Sequence, residues 1–479
     1  MIEKPGVPLG QRIVLTIQNA VLEGRLPLGS LLPGSRTLAD LFGVNRRTIT
    51  RALEELLAQG WIETRPNCGT YLVNELPSGI KGAPPATPPP EPRVGFDVPS
   101  VLQSISTYED GVLLLGDGAP DPRLAPVELL AKAYQRALRR DGSRLLDDRD
   151  PLGTPLLRES VAAWMLDRHG LRIGPDQVLI TRGSRGALAL LGSALFRPGS
   201  LVAVEDPGNR GAWDILRQNA NLELRPVPVD AQGLVPEALE ALLAKERVHL
   251  LLLTPRHHFP TTATLPAERK AAILELAARY RVAIIEDDYD GEYHYEALRP
   301  EILLTMDKTG QVIHIGSLSR MLAPGLKLGF IVLPSPLVPF MARVKRSRQE
   351  QSDPVLEWAV ADLIRDGDLG RHLRKTRKIY QTRRDHLVGR LRECLGAHLD
   401  VQAPSGGTGL WLRVKPPVDA QALVRAARKA GLVLYPPSHF FMGKAESCFR
   451  MGFAQADEAE LDEAVRRLGT AVNRCLPPD

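Results

Sequence analysis

The first 75 residues alternate apolar and polar positions in a helical pattern and then in a strand pattern. From residue 9 to residue 22 the spacing predicts an amphipathic helix, with its apolar face at Ile13, Ile17, Ala20 and Val21. A short helix is predicted in TLADLF; Gly43 ends it, and Asn45 is placed to cap the next helix. The apolar stripe of that third helix consists of Ile49, Ala52, Leu53, Leu56 and Leu57. WIETRPNCGTYLV then predicts two short strands around a Pro-Asn-Cys-Gly tip, which completes a helix-turn-helix with a wing.

A proline-rich stretch separates this unit from the rest of the chain. Residues 76–100 read LPSGIKGAPPATPPPEPRVGFDVPS, and repeated prolines favour an extended, semi-rigid spacer without a core of its own. The predicted organisation is therefore a winged helix over residues 1–75, a linker over 76–110 and a large domain over 111–479.

Beyond the linker, short apolar runs alternate with helical patterns. The predicted strands are VLIT (178–181), LVAVE (201–205), HLLLLT (249–254), VAIIED (282–287), VIHIG (312–316) and LGFIVL (328–333). Nearly continuous apolar strands separated by amphipathic helices predict a mostly parallel sheet that is covered on both faces. From about residue 370 the chain mixes charged helices with strands such as TGLWLRV, which predicts a smaller α+β lobe.

Composition limits the compartment and the partners. The chain has 479 residues, and 61 basic against 56 acidic side chains give a net charge of +5, which permits nucleic-acid binding but does not argue for it. Its four cysteines, Cys68, Cys394, Cys448 and Cys475, are far apart, so neither a disulfide framework nor a zinc site is expected. No apolar run approaches the roughly 18 residues that span a bilayer, and the N-terminus lacks a signal-peptide pattern. We expect a soluble protein of the reducing cytoplasm, with no membrane partner.

The third predicted helix begins with a group of residues suited to DNA. The sequence NRRTITR places Arg46, Arg47 and Thr48 in the first turn, where side chains and helix N-terminal amides meet phosphates and base edges in a major groove. The planar fork of arginine grips guanine or a phosphate at two points. A helix-turn-helix with a wing also occurs in protein-binding modules, which is the alternative interpretation.

Along its full length, from PLGQRIVLT to CGTYLV, this unit resembles the winged helix of the GntR family. The resemblance implies binding to a double-stranded DNA operator. With the first turn of the third helix, it predicts DNA contacts by Arg36, Arg46, Arg47, Thr48, Gly69 and Thr70. One departure is Gly34, where the family usually has serine.

The large domain resembles fold-type I aminotransferases, in the MocR-like branch of GntR regulators. The motifs that carry the resemblance include GSRGALALL, VAVEDPGNRGAW, LTPRHHFPTT, IIEDDYDGEYHY and IGSLSRMLAPGLKLGFIVLP. The resemblance implies a multidomain chain, with an N-terminal winged helix (α+β) and a C-terminal α/β fold-type I aminotransferase-like domain. It also implies a homodimer, because pockets of this fold form at the subunit boundary.

The cofactor of that family is pyridoxal phosphate, and several positions match its binding site. By resemblance Asp287 would pair with the pyridine nitrogen, Tyr289 with the ring hydroxyl, and Arg450 with a substrate carboxylate. Groups suited to the phosphate are Gly183, Ser184, Arg185, Ser317 and, in place of an arginine, Lys327.

Four positions depart from the family pattern. The Schiff-base lysine is replaced by Arg320 in SLSR, and a guanidinium stays protonated and cannot form an imine. Asn209 stands where an aromatic residue stacks on the cofactor, and Asp148 stands where a tyrosine reaches across the dimer to the phosphate. Thr262 replaces a usual glycine. These changes predict a degenerate site without covalent pyridoxal phosphate and without catalytic activity.

Three interpretations of the large domain remain open. It is a non-covalent receptor for an anionic small-molecule effector, which we favour; a dimerisation platform with relic residues; or a pyridoxal-phosphate-dependent regulator or working aminotransferase, with Lys327 as an improvised Schiff-base residue. In the favoured interpretation Arg320, Lys327 and Arg450 converge on the anion. His257 and His258 lack a third ligand at metal-site spacing, and the basic run RHLRKTRKIYQTRRD is expected to be the solvated face of a helix.

Overall fold

A computed structural model describes residues 7–65, 69–77, 111–147 and 150–476. The chain divides into two compact units, residues 1–107 and 108–479, and each is described by itself. Most of the predicted linker, the tip of the predicted wing and Asp148 lie outside the described residues. Within the described part of the chain, no helix combines the length and the apolar character needed to cross a membrane.

The first unit contains three helices and a two-stranded antiparallel sheet. Its helices are α1 (Leu9–Leu22), α2 (Ser35–Phe42) and α3 (Arg46–Ala58), and its strands are β1 (Ile62–Arg65) and β2 (Gly69–Leu72). Gly43 ends α2 with a φ of 65°, a left-handed conformation that favours glycine. The buried faces of α1 and α3 pack against Trp61 and Leu72 of the wing, which confirms the predicted winged helix. Leu57, predicted to lie in the apolar stripe, is instead 47% exposed, because its position falls at the edge of that stripe.

The second unit is built on an eight-stranded sheet in the order β4-β11-β10-β9-β8-β5-β6-β7. The strands of this unit are β3 (Leu113–Leu114), β4 (Val178–Thr181), β5 (Leu201–Asp206), β6 (Glu223–Asp230), β7 (Gly233–Leu234), β8 (Val248–Leu253), β9 (Ala283–Asp288), β10 (Val312–Ser317), β11 (Gly329–Val332), β12 (Leu399–Val401), β13 (Gly409–Val414), β14 (Leu432–Val433) and β15 (Cys448–Gly452). From β10 through β9, β8 and β5 to β6 the pairs are parallel, whereas β11 is antiparallel to both of its neighbours and β7 to β6. The predicted mostly parallel sheet is therefore confirmed.

Helices cover both faces of this sheet. The helices of the second unit are α4 (Val127–Leu145), α5 (Pro155–His169), α6 (Gly183–Leu195), α7 (Arg210–Ala220), α8 (Pro236–Leu243), α9 (Ala267–Tyr280), α10 (Leu303–Met306), α11 (Leu318–Met321), α12 (Val338–Arg348), α13 (Pro354–Arg365), α14 (Asp368–Leu395), α15 (Ala420–Lys429) and α16 (Glu458–Asn473). In β8, Leu250 and Leu252 pack with α6 and α7, while Leu251 and Leu253 pack with α8 and α9. Alternate residues of a strand point to opposite faces, so each strand contributes to both layers.

A smaller lobe follows the sheet in the chain. Strands β12, β13 and β15 form an antiparallel sheet, packed with α14, α15 and α16. This lobe also takes in the beginning of the unit, since β3 pairs in parallel with β14, and the amide of Gly452 donates a hydrogen bond to the carbonyl of Leu115. The smaller lobe was predicted to consist only of residues after about 370. Residues 113–115 also belong to it.

Candidate functional site

The first turn of α3 is capped and open on one side. Asn45 accepts a hydrogen bond from the amide of Arg47 at 2.9 Å, which fixes the start of the helix as predicted. Arg46 and Arg47 are exposed, and the Nε of Arg46 donates to the hydroxyl of Ser35 at 3.1 Å. Arg36 is exposed in the first turn of α2. The start of α3 therefore presents the guanidinium groups of Arg46 and Arg47 to solvent, where a phosphate would meet them.

The wing adds a position that requires glycine and a cation that the sequence analysis missed. Gly69 has a φ of 109°, and a Cβ there would lie 3.0 Å from Leu31 Cδ1. Gly69 pairs with Arg65, and Thr70 pairs with Thr64. The guanidinium of Arg65 lies 4.4 Å from the centre of the Tyr71 ring. The sequence did carry a signal for Arg65. The alternation of apolar and polar residues along WIETR places it at the end of the first wing strand.

In the second unit, a cavity of about 230 Å³ brings together residues from widely separated parts of the chain. Nine of the ten predicted pocket residues line it: Gly183, Ser184, Arg185, Asn209, Asp287, Tyr289, Ser317, Arg320 and Lys327. Most of them lie at the carboxyl ends of β4, β5, β9 and β10 or just beyond. Ligands of α/β proteins are bound at this edge of a sheet, because there the loops that follow neighbouring strands meet.

One wall of the cavity is suited to an anion. Ser184 and Arg185 lie in the first turn of α6, whose N-terminal amides carry partial positive charge. Lys327 lies beside this turn, since a Cβ on Gly183 would be 3.8 Å from its carbonyl carbon. The lining holds four cations, Arg182, Arg185, Arg320 and Lys327, against two carboxylates, Asp117 and Asp287. None of these four cations forms an ion pair among the described residues.

The lining also carries a carboxyl group with one oxygen that has no hydrogen-bond partner among the described residues. Among the described residues nothing donates a hydrogen bond to Oδ1 of Asp287. Burial raises the pKa of Asp287 to about 7, the charge of Asp288 adds to this shift, and the charge of Arg320 opposes it. Burial also acts to raise the pKa of Asp288, but the charge and hydrogen bonds of Arg256 outweigh it and hold that pKa well below its usual range. Oδ1 of Asp287 is thus available to accept a hydrogen bond from a cationic group or an N–H group of a ligand.

Arg320 lines the cavity and also hydrogen-bonds Gly118, which lies about 200 positions earlier in the chain. It lies in α11, which Ser317 caps by accepting a hydrogen bond from the Arg320 amide at 3.3 Å. Its Nη1 donates to the carbonyl of Gly118 at 3.0 Å, and its guanidinium lies 5.4 Å from the centre of the Tyr289 ring. The Tyr289 hydroxyl donates to the carbonyl of His257 at 3.1 Å. Arg320 therefore faces the cavity while donating to the backbone.

Arg450 does not converge on the cavity, contrary to the expectation from sequence. It is fully buried in β15, its Nη1 donates to the carbonyl of Pro260 at 3.0 Å, and its Nε has no partner among the described residues. Its guanidinium lies 4.8 Å from the centre of the Phe259 ring, and Phe259 does line the cavity. Strand pairing with Trp411 fixes Arg450 within the smaller lobe, so Phe259 stands between this cation and the cavity.

The remaining departures have local structural roles. Asn209 accepts a hydrogen bond from the amide of Ala212 at 3.3 Å and so caps α7. Thr262 has a φ of 64°, a left-handed conformation that favours the glycine usual at this position. The amide of Thr262 donates to the carbonyl of His258 at 2.6 Å, which closes the turn.

The two histidines are part of a buried polar network. Nδ1 of His257 lies 3.2 Å from Asp290, and Nε2 lies 3.1 Å from Nδ1 of His294. Burial, followed by the charge of Arg450, lowers the pKa of His258 to about 3. No group of side chains in the described ranges could hold a metal ion. Both histidines are therefore buried side chains with hydrogen-bond partners, and His257 contacts Asp290 and His294.

The basic run is exposed over most of α14, but one of its arginines is buried. Arg383 is 5% exposed, and its Nη1 donates to Asp121 at 3.0 Å and also to the carbonyl of Ala454. The prediction that the basic run is solvated was therefore wrong for Arg383, because α14 directs this side chain toward the smaller lobe.

The sequence analysis missed several residues that line the cavity. These are Asp117, Ala119, Arg182, Phe259, Ser319 and Pro324. Arg182 and Ser319 adjoin predicted residues and could have been found by extending the motifs. Asp117 and Ala119 come from the beginning of the unit, and only the tertiary fold brings them here.

Two larger cavities lie in the described part of the same unit. One of about 420 Å³ is bounded by α4, α5 and α13, and one of about 600 Å³ by the turn around Thr262 and the smaller lobe. Neither contains a predicted pocket residue. The 230 Å³ cavity remains the candidate site because of its cations and its unpartnered carboxyl.

Known proteins resemble both units. The family of bacterial regulatory proteins of the gntR type matches residues 9–72, and aminotransferase class I and II matches residues 110–468. The HTH-type transcriptional regulator TauR of Rhodobacter capsulatus is 30% identical, over 97% of this chain and 96% of that protein. The probable rhizopine catabolism regulatory protein MocR of Rhizobium meliloti is 27% identical, over 97% of this chain and 94% of its own length.

Among solved structures, LysN, an α-aminoadipate aminotransferase from Thermus thermophilus, superposes with a TM-score of 0.71 at 29% identity. The match covers 76% of this chain and 93% of LysN, which was solved in complex with N-(5'-phosphopyridoxyl)-L-leucine. The family match extends over most of this chain, and TauR matches nearly all of it. The chain therefore belongs to the family in which a GntR winged helix is fused to an aminotransferase class I and II domain.

Proposed function

We propose that this protein is a DNA-binding transcription regulator whose large unit is a receptor for a small anion held without a covalent bond. The observation that carries this proposal is Arg320, which lines the cavity. By the resemblance to the aminotransferase family, Arg320 stands where that family has its Schiff-base lysine. A guanidinium stays protonated at physiological pH, so it attracts an anion but cannot form an imine.

Pyridoxal phosphate is the cofactor that the fold family implies, and the residues present fit it only in part. Asp287 offers an unpartnered oxygen to a ring N–H, and the start of α6 with Lys327 offers cations to a phosphate. Covalent attachment does not fit. We do not assign that role to Lys327, because its backbone lies beside Gly183 at the start of α6, on the wall suited to an anion.

The relatives support a regulatory role. TauR and MocR carry the names of regulators and match this chain over nearly its whole length. We propose that the exposed first turn of α3 reads an operator in double-stranded DNA, and that the protein acts as a homodimer, so that two winged helices read paired half-sites. A ligand that favours one arrangement of the dimer would then change operator affinity by linkage.

Absorbance and calorimetry test this proposal. The purified protein, incubated with pyridoxal 5'-phosphate and reduced with borohydride, should keep no covalent adduct, while Arg320→Lys should gain near-visible absorbance and a reducible adduct. Titration with pyridoxal 5'-phosphate should show binding to the natural protein. Arg185→Met should weaken that binding by about 1.5–3 kcal/mol through loss of a charged hydrogen bond.

A borohydride-stable adduct on the natural chain would refute the receptor interpretation and favour a working pyridoxal-phosphate protein. Absence of binding to pyridoxal 5'-phosphate, to inorganic phosphate and to small carboxylates would instead favour a dimerisation platform. A gel shift on DNA upstream of the chain's own gene tests the DNA-binding half independently.

A further inference from the structure

Residues 113–121, here called the strap, cross one side of the cavity. Asp117 and Ala119 of the strap line it, and Gly118 between them is buried. The strap begins two residues after the stretch 78–110, which includes most of the predicted linker. It is therefore the first described segment of the large unit on the way from the winged helix.

Both ends of the strap are fixed to the smaller lobe. At one end, β3 pairs with β14, and the amide of Leu115 donates to the carbonyl of Val433 at 3.1 Å. At the other end, the buried carboxylate of Asp121 pairs with Arg383 at 3.0 Å, and its amide hydrogen-bonds the hydroxyl of Tyr380 at 3.0 Å.

The middle of the strap packs closely against the same lobe, and glycines at the contact leave no room for a Cβ atom. Gly118 has a φ of 65°, and a Cβ there would lie 2.9 Å from the carbonyl oxygen of Thr408. A Cβ on Gly452 would lie 2.6 Å from the Cα of Gly118. Small movements of this backbone therefore change its packing against β13 and β15.

Arg320 holds the middle of the strap from the other side of the cavity. The hydrogen bond from its Nη1 to the Gly118 carbonyl, 3.0 Å long and here called the latch, joins α11 to the strap. The same guanidinium has no carboxylate partner among the described residues, although the charge of Asp287 acts on it and Oδ1 of that residue is unpartnered. Arg320 is thus the cavity cation and the latch donor at once.

We propose that Arg320 is a positioning residue that couples occupancy of the cavity to the strap. This inference rests on the proposed function, because it needs an anion in the cavity. An anion that accepts hydrogen bonds from the Arg320 guanidinium competes with the neutral Gly118 carbonyl, and charged pairs are the stronger ones. Binding therefore opens the latch and loosens the strap, which leads toward the linker.

Hydrogen exchange on the full chain tests the latch without any ligand. In Arg320→Met, which keeps an unbranched apolar side chain but removes the donors, amides of residues 113–121 should exchange about tenfold faster than in the natural protein. Arg185→Met removes another cavity cation, for which the described part of the chain shows no hydrogen bond to the strap, and should leave this exchange unchanged. Equal exchange of the strap in Arg320→Met and in the natural protein would overturn the latch.

Adding pyridoxal 5'-phosphate tests the coupling. It should speed exchange of the strap in the natural protein to the level of Arg320→Met and have no further effect in that variant, a pattern that a purely structural arginine would not produce. Binding by calorimetry without any change in the strap would overturn the coupling. Absence of binding would count against the proposed function, while the ligand-free comparison still decides whether Arg320 holds the strap.

Discussion

The winged helix and the cavity draw their functional residues from the chain in different ways. The predicted DNA-contacting residues lie between positions 36 and 70, on two consecutive helices and the wing. The cavity lining instead runs from Asp117 to Lys327 and joins the ends of several strands with the strap. On the resemblance drawn from the sequence, the first region would keep the family pattern except at Gly34, whereas the second would depart from it at Arg320 and Asn209. A contiguous motif can be read from sequence, but a dispersed site requires each position to be placed by the fold.

If the cavity depends on close tertiary fit, the strap should not accept a larger residue. Gly118→Ala places a Cβ 2.9 Å from the carbonyl of Thr408 in a left-handed conformation, and should lower the free energy of unfolding by about 2–4 kcal/mol. The matched control is Gly389→Ala in α14, which has no neighbour within 4 Å and should be stabilised by about 0.5–1 kcal/mol. Denaturant unfolding measures both, and equal stability of the two variants would contradict the described fit.

If the winged helix binds DNA through its contiguous motif, replacing a single arginine there should lower the affinity for DNA without changing the free energy of unfolding. Arg46→Ala should weaken operator binding by about 1–3 kcal/mol if it contacts a base. A phosphate contact would instead weaken binding similarly on all sequences and reduce the salt slope. Arg51→Ala is the control, because Arg51 lies beside Gly10 and Val14 of α1. A gel shift unchanged by Arg46→Ala would remove that residue from the interface.

The cavity should also respond to pH through Asp287. The folded-state pKa of Asp287, raised to about 7, lies above its unfolded value, so the native protein favours the protonated carboxyl. Ionisation then costs stability progressively as pH rises from about 4 to about 7, and the full cost persists above that range.

Asp287→Asn should remove this cost and raise the free energy of unfolding at pH 8 by about 1–2 kcal/mol, with little change at pH 4. Unfolding curves at the two pH values measure the difference. A variant destabilised at both would show that the carboxyl has a partner in the native protein.

Much of the fold was predictable because its signals are local. Asn45 as a cap, Gly43 as the end of α2 and the apolar runs of β4, β5, β8, β9 and β10 follow from neighbouring residues, and the structure confirms them. Arg383 was misjudged because a basic side chain is buried there with Tyr380 and Leu387 on the inner face of α14, and Leu57 because it lies at the boundary between a buried and an exposed helix face. Exposure at such a boundary depends on what packs against it, which a periodic pattern does not specify.

By itself, the sequence determined the two-part organisation, the winged helix and the identity of the side chain at position 320. Only the tertiary structure decided that Arg450 lies behind Phe259, that residues 113–121 form one side of the cavity, and that Arg320 donates to Gly118. The physical reason is the distance along the chain over which the interactions act. Caps, turns and periodic faces arise from interactions within a few residues, whereas a cavity wall forms where distant segments are brought together by burial of a shared core.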